Sequence, residues 1–150
     1  MVNKRVWSNN LSLSLQEGLL RHKYPESKVS VKKGKLVWEG ILKPTSLSRE
    51  YKIKLICERR DNPKVYLKGS DIKGIERVDF PHHYKKTEYG VLLCLNYPAE
   101  FNYSMKLTDT IIPWTLEWLC FYEIWLYTGE WHGGGHSVAV SYTHLAPTRP

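Results

Sequence analysis

Gly90-Val91-Leu92-Leu93-Cys94-Leu95-Asn96-Tyr97-Pro98 is an apolar, strand-like run with a single cysteine in it. The residues before Cys94 read as buried strand, and Asn96, Pro98 and Glu100 read as the loop that follows. The thiol therefore sits where rigid structure meets solvent, which is where reactive groups are usually held. Free cysteines are also among the most buried residue types, so residue chemistry alone leaves Cys94 either a nucleophile or an inert core thiol.

Upstream, the chain from Lys68 to Lys86 reads as a long irregular connection, with Gly69, Gly74 and Pro81 in it, ending in Pro81-His82-His83-Tyr84. Connections of that length in a compact domain are usually functional or mobile. His82 and His83 precede Cys94 by 12 and 11 positions, near enough for the connection to fold back over the strand. Before it, four strands are expected in meander order. Lys28 to Lys32 and Leu36 to Leu42 form a hairpin around Lys33-Gly34, Tyr51 to Cys57 alternates, and Lys64 to Leu67 starts at Pro63. Cys57 falls on the core face of its strand. A first helix is expected over about Ser12 to His22, with Ser14 and Glu17 at capping-box spacing and Leu15, Leu19 and His22 on one face, closed before Pro25.

Downstream, Trp114, Trp118, Phe121 and Trp125 recur at helical spacing, with Thr108 or Thr110 as cap, Pro113 in the first turn and Gly129 as stop. Such a stripe is expected in the core. Leu119, Tyr122 and Leu126 widen it, so the helix must be covered on more than one side. Residues 1–131 are expected as one domain. His132-Gly133-Gly134-Gly135-His136 opens a flexible tail running to residue 150. Its last ten residues, Ser141 to Pro150, read as unrelated to the domain, with the look of a cloning remnant.

Composition narrows the classes. The 150 residues are 42% hydrophobic and include six Trp and ten Tyr, which excludes general disorder. The net charge of +7 comes without a dense run of Lys and Arg, so a nucleic-acid-binding domain is the weaker alternative and an acidic protein partner fits at least as well. Cys57, Cys94 and Cys120 form no disulfide framework and no CxxC pair. A zinc site built on His82, His83 and Cys94 lacks paired ligand spacing. A papain-like order of Cys94 before His132 or His136 lacks a cysteine that opens a helix. With no secretory signal and no apolar stretch of about 20 residues, a reducing cytoplasm is the expected compartment.

The order of helix, four-stranded antiparallel meander, long connection, cysteine on a short strand and aromatic-rich helix resembles the α+β fold of ubiquitin-conjugating enzymes. Pro63-Lys64-Val65-Tyr66-Leu67 resembles the family's Pro-x-Val-x-Phe strand. Gly90-Val91-Leu92-Leu93-Cys94-Leu95 resembles the sequence around its catalytic cysteine, Phe101 stands near its post-cysteine tryptophan, and Pro81-His82-His83-Tyr84 lies where it keeps His-Pro-Asn. Over about Leu11 to Trp131 the chain is most similar to the stand-alone conjugating enzymes of bacterial CBASS antiphage systems.

The resemblance implies that Cys94 takes an acyl group as a thioester, with His83 and His82 beside it. The donor would be the carboxyl-terminal glycine of a partner protein, a cGAS-like cyclase, and the acceptor an amine. The family's oxyanion-supporting asparagine is missing from Pro81 to Tyr84, which leaves His83, Tyr84 and Asn102 as candidate donors. No cofactor is implied. The chain has no Gly-rich phosphate loop, so activation of the donor must come from elsewhere. A catalytically silent relative that only binds a partner is the alternative within the same fold.

Overall fold

Ser12 caps the first helix: its hydroxyl accepts from the Leu15 amide at 3.0 Å, and α1 runs over Leu13–Lys23. The cap is Ser12 rather than Ser14, and the buried face is Leu13, Gln16 and Leu20, while Leu15 is 48% exposed. The expected face was displaced because its most buried member is polar. Gln16 is fully buried. Its Nε2 donates to the Met105 carbonyl at 2.9 Å and its Oε1 accepts from the Leu107 amide at 3.0 Å. A polar side chain can be buried when both ends are satisfied, and here it clasps α1 to a segment about ninety residues away.

The computed structural model describes residues 9–59, 61–69 and 72–133. After α1 come β1 (Lys28–Lys32), β2 (Lys35–Leu42), β3 (Tyr51–Glu58), β4 (Lys64–Lys68), β5 (His83–Thr87), β6 (Gly90–Leu93) and α2 (Ile111–Thr128). All neighbouring strands are antiparallel, in the order β1-β2-β3-β4-β6-β5. The first four are the expected meander, and the β5–β6 hairpin extends it. β5 is a correction, since the chain as far as Lys86 read as irregular. His83 to Thr87 shows no apolar alternation because it is a solvent-facing edge strand, where charged side chains are tolerated and guard against pairing with other chains.

Alternation along β2 and β3 sends Leu36, Trp38 and Leu42, and Ile53, Leu55 and Cys57, to one face. Both helices pack there, with α2 contributing Ile111, Ile112, Trp114, Trp118, Leu119, Tyr122 and Trp125 to the same core. Each fully buried Leu or Ile contributes about 2 kcal/mol by removal of apolar area from water. Gly129, with φ of 79°, ends α2 in the left-handed region and returns its amide to the Trp125 carbonyl at 2.8 Å. The chain then turns back, so that Trp131 lies against Trp118 and Phe121, with ring centroids at 5.5 and 5.9 Å. It stays on the domain through Gly133, where an added Cβ would come within 2.6 Å of the Phe121 ring. The expected tail lies outside the described residues from residue 134 onward.

Gln16→Leu keeps the size but leaves the Met105 carbonyl and Leu107 amide without their partner. The unfolding free energy should fall by about 2–4 kcal/mol. Urea denaturation followed by circular dichroism reads this as a lower midpoint with an unchanged slope. A shift under about 0.5 kcal/mol would show that the clasp is dispensable.

Candidate functional site

The site is built from the β5–β6 hairpin and the turn that leads into it. Phe80 is buried among Trp118, Tyr122 and Trp125, with centroids at 6.3, 5.8 and 5.6 Å, and so fixes the end of the long connection on α2. Two residues later His82 takes a left-handed conformation, φ 37°, uncommon for a residue with a side chain. That turn presents the His82 carbonyl to two donors at once. The Cys94 amide donates at 2.9 Å and the Trp118 indole Nε1 at 3.1 Å. The backbone at Cys94 is therefore held from the connection and from α2 together.

Cys94 follows directly on β6 and is 3% exposed. β6 can lie so close to β4 because it begins with a glycine: Gly90 has φ 127°, and a Cβ there would collide with the Leu67 carbonyl oxygen. His83 pairs with Leu93 and Lys85 with Leu92, so Tyr84 is an extra residue in β5, a β-bulge. Bulges re-aim side chains. Here the Tyr84 hydroxyl is placed on the Cys94 sulfur, with Tyr97 close by. Burial first, and then the hydrogen bond to Cys94, raise the Tyr84 hydroxyl well above the ordinary phenol range. It keeps its proton and donates to sulfur. Tyr84 itself is 51% exposed, so the ring forms the lid between the thiol and solvent.

The other named residues are placed differently. The His82 ring stacks on Trp131, with centroids 4.7 Å apart. The His83 ring meets Phe80 edge-on at 5.1 Å and donates toward the backbone carbonyls of Phe80 and Pro81. Burial is the largest influence on it and holds it below the usual histidine range, favouring the neutral form. Asn102 closes its own turn, its Oδ1 accepting from the Ser104 amide at 2.9 Å and from the Ser104 hydroxyl. The structure thus brings together Cys94, Tyr84 and the His82 backbone, and places Asn102 in a separate turn.

A cavity of about 510 Å³ opens beside this group, its wall including Asn62, Tyr84, Lys85, Leu93, Leu95 and Asn96. Asn96 is 2% exposed, and its Nδ2 donates to the Tyr97 carbonyl at 2.8 Å and to Asn62 Oδ1 at 3.3 Å. Sequence reasoning took Asn96 only as loop. The available signal was an amide two places past Cys94 that continues the apolar run, a position where burial demands partners. Cys57 gives the contrast within the same chain: fully buried, its thiol is pushed up to about 12 by burial, with the Tyr103 hydroxyl opposing the shift. Among the described residues no group of three or more His, Cys, Asp or Glu gathers as a metal site, and no helix is long and apolar enough to cross a membrane.

The family model for Type II CBASS E2 proteins matches residues 16–138. The chain belongs to this family. No curated protein matches it. The CBASS E2 match spans α1 through α2 and includes every residue of the hairpin site. It supports a conjugation-related role in antiphage defence, with a protein partner within the CBASS system.

Tyr84→Phe removes the hydroxyl from sulfur and leaves the ring in place. In a Cys120→Ser background, which removes the half-buried second thiol, the pH midpoint for Cys94 alkylation by iodoacetamide should rise by about one unit, the effect of losing one donor to a thiolate. An unmoved midpoint would rule out that hydrogen bond in solution.

Proposed function

We propose that Cys94 is the acyl-carrying nucleophile of a protein-conjugating enzyme. The supporting observation is the Tyr84 hydroxyl on the sulfur of a cysteine whose backbone is held from two sides. The thiolate attacks the carbonyl carbon of an activated carboxyl-terminal glycine on a partner protein, which in this setting is a cGAS-like cyclase. The C–S bond forms as the bond to the activating group breaks and that group leaves with the electron pair. A neutral amine then attacks the same carbon, C–N forms, C–S breaks, sulfur departs as thiolate and the nitrogen releases its surplus proton to water. Sulfur suits both halves, since a thiol of reference pKa ~8.5 leaves far more readily than an alcohol.

Tyr84 is the proposed oxyanion donor. While sulfur is free its proton supports the thiolate, and once sulfur is acylated the same proton is available to the developing oxyanion, worth about 3 kcal/mol when such a donor is aligned. His82 acts through its backbone as a positioning residue. His83, held against Phe80, keeps the turn in shape. The lid implies that the Tyr84 ring moves aside for the donor tail, and the cavity beside it has room for that tail.

The burial of Cys94 favours a second reading, an E2-like module that binds its partner without carrying it. The two readings separate on one variant. Incubated with a cGAS-like cyclase whose carboxyl-terminal glycine has been activated as a thioester, the native chain should form an adduct cleaved by excess thiol, and Cys94→Ala should abolish it with the melting curve unchanged. If Cys94→Ala still forms the adduct, or if neither protein does while partner binding persists, the conjugating role fails.

A further inference from the structure

The sheet has two faces, and only one is covered by helices. The register places Lys28, Glu39, Lys54, Tyr66, Leu92 and Lys85 in a single row across all six strands on the uncovered face. Parallel to that row, Ser30, Val37, Ile56 and Lys64 form the next, followed by Lys32, Lys35 and Glu58, while Ile41, Lys52 and Lys68 lie on its other side. Lys54 and Lys68 are held by Glu39 at 3.2 and 3.1 Å. Lys28, Lys32, Lys35, Lys52, Lys64 and Lys85 are exposed. Lysines scattered along the sequence are thus gathered on one face, because every second residue of a strand points the same way. Eight lysines against Glu39 and Glu58 leave the rows with a net charge of +6.

We propose that this face binds the phosphate backbone of duplex nucleic acid without sequence preference. Its chemistry selects that partner over a protein surface. Protein interfaces are depleted in Lys and anchored by exposed Tyr, Trp or Arg. The aromatic of the central row, Tyr66, is 6% exposed and packed edge-on against Tyr89; Tyr89 is 40% exposed, but its ring is engaged by Tyr66 on one side and by the Lys54 ammonium at 4.7 Å, and no arginine lies in the rows. With one ring buried and the other held between Tyr66 and Lys54, the face lacks the run of free rings on which single strands stack. What remains is a field of compact point charges at strand spacing, about 25 Å from Lys28 to Lys85, suited to a rigid array of phosphates. Lys64 and Lys85 also border the cavity beside Cys94, so a bound duplex would run to the edge of the site. The inference rests on charge placement alone and is independent of the thioester reading.

The test uses the full chain and a fluorescein-labelled 24-base-pair duplex DNA of arbitrary sequence, with anisotropy read from 50 to 200 mM NaCl. With about four phosphates neutralised, affinity should fall roughly 100-fold over that range and be indifferent to sequence. The triple variant Lys35→Glu, Lys52→Glu, Lys64→Glu should lose at least tenfold at 50 mM and flatten the salt slope, while Lys73→Glu, Lys86→Glu, Lys106→Glu off the face should bind as the native chain does. Matching melting curves exclude misfolding. The proposal is overturned by no binding at 50 mM, by equal losses in the two triple variants, or by a face variant that keeps duplex affinity while losing the partner protein.

Discussion

One carbonyl, that of His82, receives both the amide of Cys94 and the indole of Trp118. The rest of the hairpin site depends on it. A carbonyl has two lone pairs, and by using both this one joins the turn after the long connection, the end of β6 and the middle of α2. Tyr84 reaches sulfur only because the turn at His82 sets where β5 begins. The aromatic packing around Phe80 serves that turn, since a left-handed conformation at a residue with a side chain persists only when its surroundings over-determine it. Stability and chemistry meet in the same few atoms.

Burial has opposite meanings at the two buried cysteines. Cys57 points into the sheet core and its neighbours make ionisation costly. Cys94 is as well hidden by area, but its sulfur is met by a half-exposed tyrosine on an edge strand. Equal accessible area thus covers unequal surroundings: one thiol lies within a packed sheet core, the other beside a half-exposed aromatic ring.

The meander, Cys57 in the core, the aromatic helix and its stop at Gly129 were legible in the sequence, because each is written in local periodicity or in a residue with special backbone preferences. Gln16 and Asn96 were not. Both are polar residues buried by partners far away in the chain, Met105 and Leu107 for one and Asn62 for the other, and no local pattern announces such a partner. β5 escaped for a related reason: an edge strand of Tyr84, Lys85 and Lys86 has the composition of a loop and owes its form to pairing with β6. Cys94 stood out as a candidate at once, yet the sequence could not tell which of His83, Tyr84 and Asn102 lies against its sulfur, since a bulge places Tyr84 there and a bulge leaves no mark in composition.

That bulge also leaves a parity intact. Strand faces alternate with period two, and the one extra residue is taken up in the bulge without reversing the side taken by what lies beyond it. With Tyr84 inserted, Lys85 aligns with Leu92 on the open face, while Lys86 aligns with Val91 and its ammonium donates to the Ile75 carbonyl at 2.8 Å. Removing Tyr84 would leave Lys85 opposite Leu92 and Lys86 opposite Val91, and would take only the hydroxyl off sulfur. The inserted residue thus serves the thiol alone: the ladder closes on either side of it without its help, and the charge row behind is set by the pairing with β6.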